Sequence, residues 1–139
     1  MLKLMLVSKS RDAFSDFCSG LSENNSNEVL YLDSGEEALN MLKKESFDLV
    51  IMDEDVSDMT GLELAKRLVA VSPLTNCVAV SGLSEEDFHE ASEGLGLMTH
   101  LPLNPGKAEA DNLLKSLRRI KGLESGQDEQ QKEDNNDDL

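Results

Sequence analysis

The 139-residue chain has no tryptophan, one tyrosine, two cysteines and three prolines, and its bases are outnumbered: 13 Lys and Arg stand against 28 Asp and Glu, a formal net charge of −15. So few aromatic rings leave little for stacking on bases or sugars. A charge this negative repels phosphates, which argues against nucleic acid or an anionic membrane as partner. Cys18 and Cys77 make no disulfide framework. Both fall in apolar patterns and read as small core residues, which points to a reducing, cytoplasmic setting. The longest apolar runs, such as Leu49 to Met52, fall far short of a membrane span. Met1 to Val7 is too short for a secretory core, and no small-residue cleavage site follows it.

What is present is enough apolar sequence for one core, in a chain the size of one domain. The charge is uneven. Glu124 to Leu139 holds seven acids and one Lys, and so carries −6 of the −15. This stretch has almost nothing apolar to bury against its ordering entropy. The expected division is therefore a folded unit over residues 1–122 and a disordered acidic tail over 123–139.

Within the folded unit, strand-like and helix-like stretches alternate. Leu2 to Val7 is a short apolar run, and Phe14, Phe17, Cys18 and Leu21 then recur at helical spacing. Val29 to Leu32 reads as a second strand. Ser34 with Glu37 forms a capping box ahead of Ala38, Met41 and Leu42. Leu49 to Met52 is a third strand, and Thr60 with Glu63 opens a helix carrying Ala65, Leu68 and Val69. Cys77 to Val80 is a fourth strand, followed by a helix starting at Ser84 with Asp87 and carrying Phe88 and Ala91. Leu97 to Leu101 is a weaker fifth strand. Ala110, Leu113, Leu114, Leu117 and Ile120 mark the last helix face, which Gly122 closes. Five strand–helix units imply an α/β fold, a parallel sheet with helices on both faces. Strands 1, 3 and 4 lack polar alternation, as expected of strands buried on both sides. Chemistry on such a sheet gathers at the carboxyl ends of its strands.

Those ends hold Ser8-Lys9, Asp33, Asp53-Glu54-Asp55, Ser81-Gly82 and Pro102 to Pro105. Three consecutive carboxylates at one strand tip make either a solvated loop or a phosphoacceptor or metal site, carboxylates being natural Mg²⁺ ligands. The stretch Phe47-Asp-Leu-Val-Ile-Met-Asp53, with Gly61-Leu-Glu-Leu64 eight residues beyond the aspartate and Val78-Ala-Val-Ser81-Gly82 later, resembles the receiver domain of two-component response regulators. The resemblance spans Leu2 to about Lys121. It implies the flavodoxin-like (βα)5 doubly wound fold with strand order 2-1-3-4-5, and a signalling module rather than an enzyme. It implies that Asp53 is the phosphoacceptor of a partner histidine kinase, and that Ser81 and Gly82 contact the phosphoryl group.

The departures from the family pattern are equally specific. The two acids that follow the first strand in the family, and hold Mg²⁺ there, are replaced by Ser8 and Lys9. The lysine ending the fifth strand falls on Leu103, the usual proline after the acceptor is Ser57, and the aromatic switch position is His100. Asp53, with Asp55, is left as the only remaining metal candidate. No cofactor is firmly expected, and Mg²⁺ binding is expected to be weak. The chain thus reads as a degenerate receiver with weak or no phosphorylation at Asp53; a working phosphoacceptor with an unusual metal site is the alternative. A flavin-binding redox protein on the same sheet order is disfavoured, since Ser8-Lys9-Ser10-Arg11 is a poor phosphate loop.

Lys9 has two readings. It either faces solvent or reaches across to Asp53 and stands where the metal would be, and the ion pair is favoured. His100 reads as a pH-sensitive switch or, preferably, as a half-buried residue on an edge strand. His89 lies on a polar helix and has no assigned role. Lys115, Arg118, Arg119 and Lys121 suit the end of the last helix as a solvated face, or would attract an acidic tail or partner. Partners are expected to be proteins, a histidine kinase or another signalling protein, with a homodimer also open.

Overall fold

A computed structural model describes residues 2–22 and 27–122. The acidic stretch 123–139 lies outside the described residues. Strands β1 (Lys3–Val7), β2 (Glu28–Leu32), β3 (Leu49–Met52), β4 (Asn76–Val80) and β5 (Thr99–Leu101) form one parallel sheet in the order β2-β1-β3-β4-β5. The connecting helices are α1 (Ser15–Leu21, preceded by a 3-10 turn over Arg11–Phe14), α2 (Gly35–Lys44), α3 (Gly61–Val71), α4 (Glu85–Ala91) and α5 (Lys107–Lys121).

The sheet's central strands read as unbroken apolar runs because each of their faces meets a helix layer. Leu4, Leu6, Leu49, Ile51, Val78 and Val80 point to the side of α1 and α5 and pack on Phe14, Phe17, Leu113 and Leu117. Met5, Val7, Val50 and Met52 point to the other side and pack on Ala38, Leu42, Leu64 and Leu68 of α2 and α3. Side chains alternate across a strand, so a run buried on both faces has no polar position to spare. The edge strands β2 and β5 are only partly buried.

Three expectations are corrected. The fifth strand is shorter than Leu97 to Leu101: it spans Thr99–Leu101, preceded by Met98, whose N–H donates to the Cys77 carbonyl of β4 at 2.8 Å, and the half-buried Met98 and Leu97 pack against opposite core layers. Ile120 lies on the open side of the last turn of α5 and is 58% exposed, since the sheet ends before it. Cys18 is half-buried, its thiol pushed up by burial and set beside the Tyr31 hydroxyl. Cys77 is the core residue expected, and burial pushes its thiol up to about 12, which leaves it unreactive.

Two local devices set the strand tips. The first is Gly61 at the start of α3. Its N–H donates to the Glu54 carbonyl at 2.8 Å, and its α-carbon lies so close to β3 that an added Cβ would stand 2.1 Å from the Asp53 carbonyl oxygen. The second is Asp58, in the loop between β3 and α3. Its carboxylate accepts from the Gly35 N–H at 2.7 Å, and from the Glu36 N–H and the Ser34 hydroxyl at 3.1 Å each. It thus supplements the Ser34 cap of α2 from another loop.

Gly61→Ala is therefore expected to cost more than about 2 kcal/mol of unfolding free energy in a urea titration, because the obstruction is backbone. For Asp58, the Gly35 N–H above all, helped by Glu36 and Ser34, holds the carboxyl below its ordinary value. A depressed folded-state value stabilises the fold above the ordinary carboxylate range, and that contribution is lost as pH falls through the depressed value. Asp58→Ala should lower the urea midpoint at pH 7, and the gap to wild type should narrow as pH drops below about 4.

Candidate functional site

The carboxyl ends of β1, β3 and β4 meet on one side of the sheet. Asp53 is fixed first by its backbone: its N–H donates to the Val7 carbonyl at 3.0 Å, extending the β1–β3 pairing by one residue. Its side chain is half-buried. Oδ2 accepts the Ser8 hydroxyl at 2.8 Å, and Oδ1 accepts the Glu54 N–H at 2.7 Å. Ser8 is itself buried, and its Oγ also takes the Ser10 N–H at 3.0 Å. A neutral hydroxyl thus sits against the aspartate, one residue beyond β1.

The favoured Lys9–Asp53 ion pair is not formed. Ser8 takes the hydrogen bond to Asp53, and Lys9 makes no ion pair with it among the described residues. Lys9 lines a cleft of about 310 Å³ with Ser8, Arg11, Tyr31, Asp33 and Glu37. The Arg11 guanidinium lies 3.9 Å from the centre of the Tyr31 ring in that cleft.

Asp55 is exposed and pairs by its backbone with Thr60. Glu54 reaches to the tip of β4, where its Oε2 accepts the Gly82 N–H at 2.7 Å and lies 3.4 Å from the Ser81 hydroxyl. Ser81 is buried, and its Oγ accepts the Leu83 N–H at 3.1 Å. Among the described residues, no group of three or more His, Cys, Asp or Glu side chains is arranged to hold a metal ion.

The far side of the tip comes from β5 and the loop after it. His100 stacks on Phe88 of α4, with ring centres 4.1 Å apart and planes 11° from parallel, and its Nε2 lies 3.0 Å from the Ser81 carbonyl oxygen. Leu103 is half-exposed, and its Cδ1 would stand 3.0 Å from a Cβ placed on Gly82. An alkyl group therefore stands beside the Ser81-Gly82 turn, and Asn104 after it adopts a left-handed backbone, with φ at 52°. Ser57 also has a positive use: its N–H donates to the Asp33 carbonyl at 2.8 Å, a bond no proline could make. At the opposite end of the sheet Lys121 pairs with Asp48 at 2.8 Å. His89 is exposed, on α4.

Two contacts near the strand tips escaped the sequence. Glu54 is 28 residues from Gly82, and Asp58 is 23 from Gly35. Both are tertiary contacts between loops, and neither follows a spacing rule.

The family model for the response regulator receiver domain matches residues 6–117. Among characterised proteins, the chain is 31% identical over 67 residues to sporulation initiation phosphotransferase F of Bacillus subtilis (strain 168), covering 48% of this chain and 54% of that one. It is 28% identical over 102 residues to a response regulator receiver protein of Anaeromyxobacter sp. (strain Fw109-5), covering 73% of this chain and 42% of that one. The chain thus spans about half the length of these relatives. Among solved structures, a CheY-like response regulator receiver domain from Methylobacillus flagellatus superposes with a TM-score of 0.70 at 26% identity, over 84% of this chain and 98% of that one. With its strand order, its aspartate at the tip of β3 and its hydroxyl at the tip of β4, the chain belongs to the response regulator receiver family.

Proposed function

We propose that this chain is a receiver-type signalling module of a two-component phosphorelay whose aspartate, Asp53, accepts a phosphoryl group poorly or not at all: a pseudo-receiver that acts through protein partners. The observation that carries this reading is the Ser8 hydroxyl on Asp53 Oδ2, at 2.8 Å, where an acidic pair would be needed. The residues around Asp53 do not fit a divalent cation. Mg²⁺ favours charged oxygen ligands in a near-octahedral set. Here the neighbours are a neutral hydroxyl and, next in sequence, a lysine in place of an acid, while Glu54 is engaged elsewhere.

Transfer of a phosphoryl group to a carboxylate brings negative charge onto negative charge, so its rate depends on cations that neutralise the moving group. Neither a metal set nor a lysine is available: Leu103 presents only alkyl to the tip of β4. The surroundings supply hydrogen-bond donors alone. They stabilise a resting aspartate and do little for a dianionic group arriving on it. A histidine kinase or another signalling protein would then be recognised by the receiver surface, without durable modification.

The test is a Mg²⁺ titration followed through the amide resonances around Asp53, with intact-mass analysis after incubation with a small phosphodonor and Mg²⁺. Wild type is expected to bind Mg²⁺ more weakly than about 1 mM and to gain no phosphoryl mass. Ser8→Asp with Lys9→Asp should tighten Mg²⁺ binding about tenfold or more, by adding two carboxylates and removing a positive charge. Phosphorylation should rise further only when Leu103→Lys is added. Submillimolar Mg²⁺ binding by wild type, with phosphoryl mass on Asp53, would establish a working phosphoacceptor instead.

A further inference from the structure

The tip of β4 turns two hydrogen-bond donors toward one oxygen. The Gly82 N–H and the Ser81 hydroxyl both face Glu54 Oε2, at 2.7 and 3.4 Å. One lone pair of the Ser81 oxygen is taken by the Leu83 N–H, which leaves the hydroxyl proton free for an acceptor. Glu54 has no basic partner within ion-pair distance among the described residues, and the alkyl side chain of Leu103 lies beside Gly82. The carboxylate is held by donors alone. Two converging donors at a strand tip suit an oxyanion, and they stand beside the strand that carries Asp53.

We propose that the Glu54 carboxylate is a built-in oxyanion: it occupies the donor pair that a phosphoryl group on Asp53 would use, and so holds the β4 tip in its ligated arrangement without any modification. This rests on reading Ser81 and Gly82 as phosphoryl-contact residues, and it adds the reason why the site is closed to an outside anion. The contact also reaches outward. The Ser81 carbonyl meets His100, and the His100 ring lies on Phe88, so one carboxylate fixes the ends of β4 and β5 and the packing of α4 together.

The experiment uses the full chain, inorganic phosphate as probe, and neither Mg²⁺ nor phosphodonor. Amide spectra are recorded for wild type, Glu54→Ala and Glu54→Gln. In Glu54→Ala the Gly82 amide proton should move upfield and exchange with solvent at least about tenfold faster, since a hydrogen bond to a charged group is lost. Added phosphate, at ionic strength matched with sodium chloride, should restore the downfield shift saturably in Glu54→Ala and leave Gly82 of wild type unmoved. Glu54→Gln keeps the length and a neutral acceptor, so it should fall between the two and keeps the test readable if the alanine variant does not fold. A Gly82 resonance unaffected by either substitution would overturn the proposal. So would a wild-type response to phosphate equal to that of Glu54→Ala, or the absence of any response in Glu54→Ala. These outcomes are independent of the phosphorylation assay: a wild type that gains phosphoryl mass would refute the pseudo-receiver reading and leave the Gly82 shifts to decide on Glu54.

Discussion

Burial of β3 on both faces is the constraint from which the rest of the molecule follows. Leu49, Val50, Ile51 and Met52 are all completely shielded from solvent, and alternate members reach the two helix layers. A strand held this way has no freedom to shift, because slipping by one residue would exchange its two faces against two already packed layers. Asp53 is the first residue beyond it, so a polar group is held at a fixed point without being buried itself. Gly61 completes the fixation from above, its α-carbon lying against the Asp53 carbonyl. The rigid strand and the glycine contact together place the aspartate; the side chains around it decide what it can do.

Among the described residues, those side chains form a site with donors and no paired cation. Asp53 is bonded to a hydroxyl and an N–H, Glu54 to an N–H and a hydroxyl, and Asp58 to two N–H groups and a hydroxyl. Three nearby carboxylates thus avoid one another by each finding separate backbone and hydroxyl donors. The arrangement suits a chain with a formal charge of −15, in which acids far outnumber bases. Within the carboxylate triplet, Asp53 and Glu54 are taken up by different donors and Asp55 is exposed, so the three do not gather on one point.

The fold was legible because its signal is periodic. Unbroken apolar runs, the side-chain N-caps at Ser34, Thr60 and Ser84, and Gly122 at the end of α5 each report a local rule, and all four helix-end residues stand where they were expected. Errors fell where packing overrides pattern: Ile120 continues the apolar spacing of α5 but is exposed, and Leu97 and Met98 look like strand but lead into β5 from opposite core layers. The site was legible as positions and not as contacts. Asp53, Ser81, Gly82 and Leu103 could be placed by order along the chain, yet the partner of each depends on which way a side chain leaves its strand. Ser8 and Lys9 illustrate this: they are neighbours in sequence, yet it is the hydroxyl and not the ammonium that meets Asp53.

The same reasoning locates where the molecule is free to respond. α4 has only seven residues, and Phe88 is its one buried side chain. Its seat is the His100 ring on an edge strand three residues long. Elements with so little buried surface sit at the low end of local stability, whereas α1 and α5, sharing Phe14, Phe17, Leu113 and Leu117 with the sheet, sit at the high end. The polar chain from Glu54 through Ser81 to His100 therefore ends on the most weakly held helix of the fold. A change of occupant at the β4 tip would be absorbed there, because the two large apolar layers have no slack to take it up.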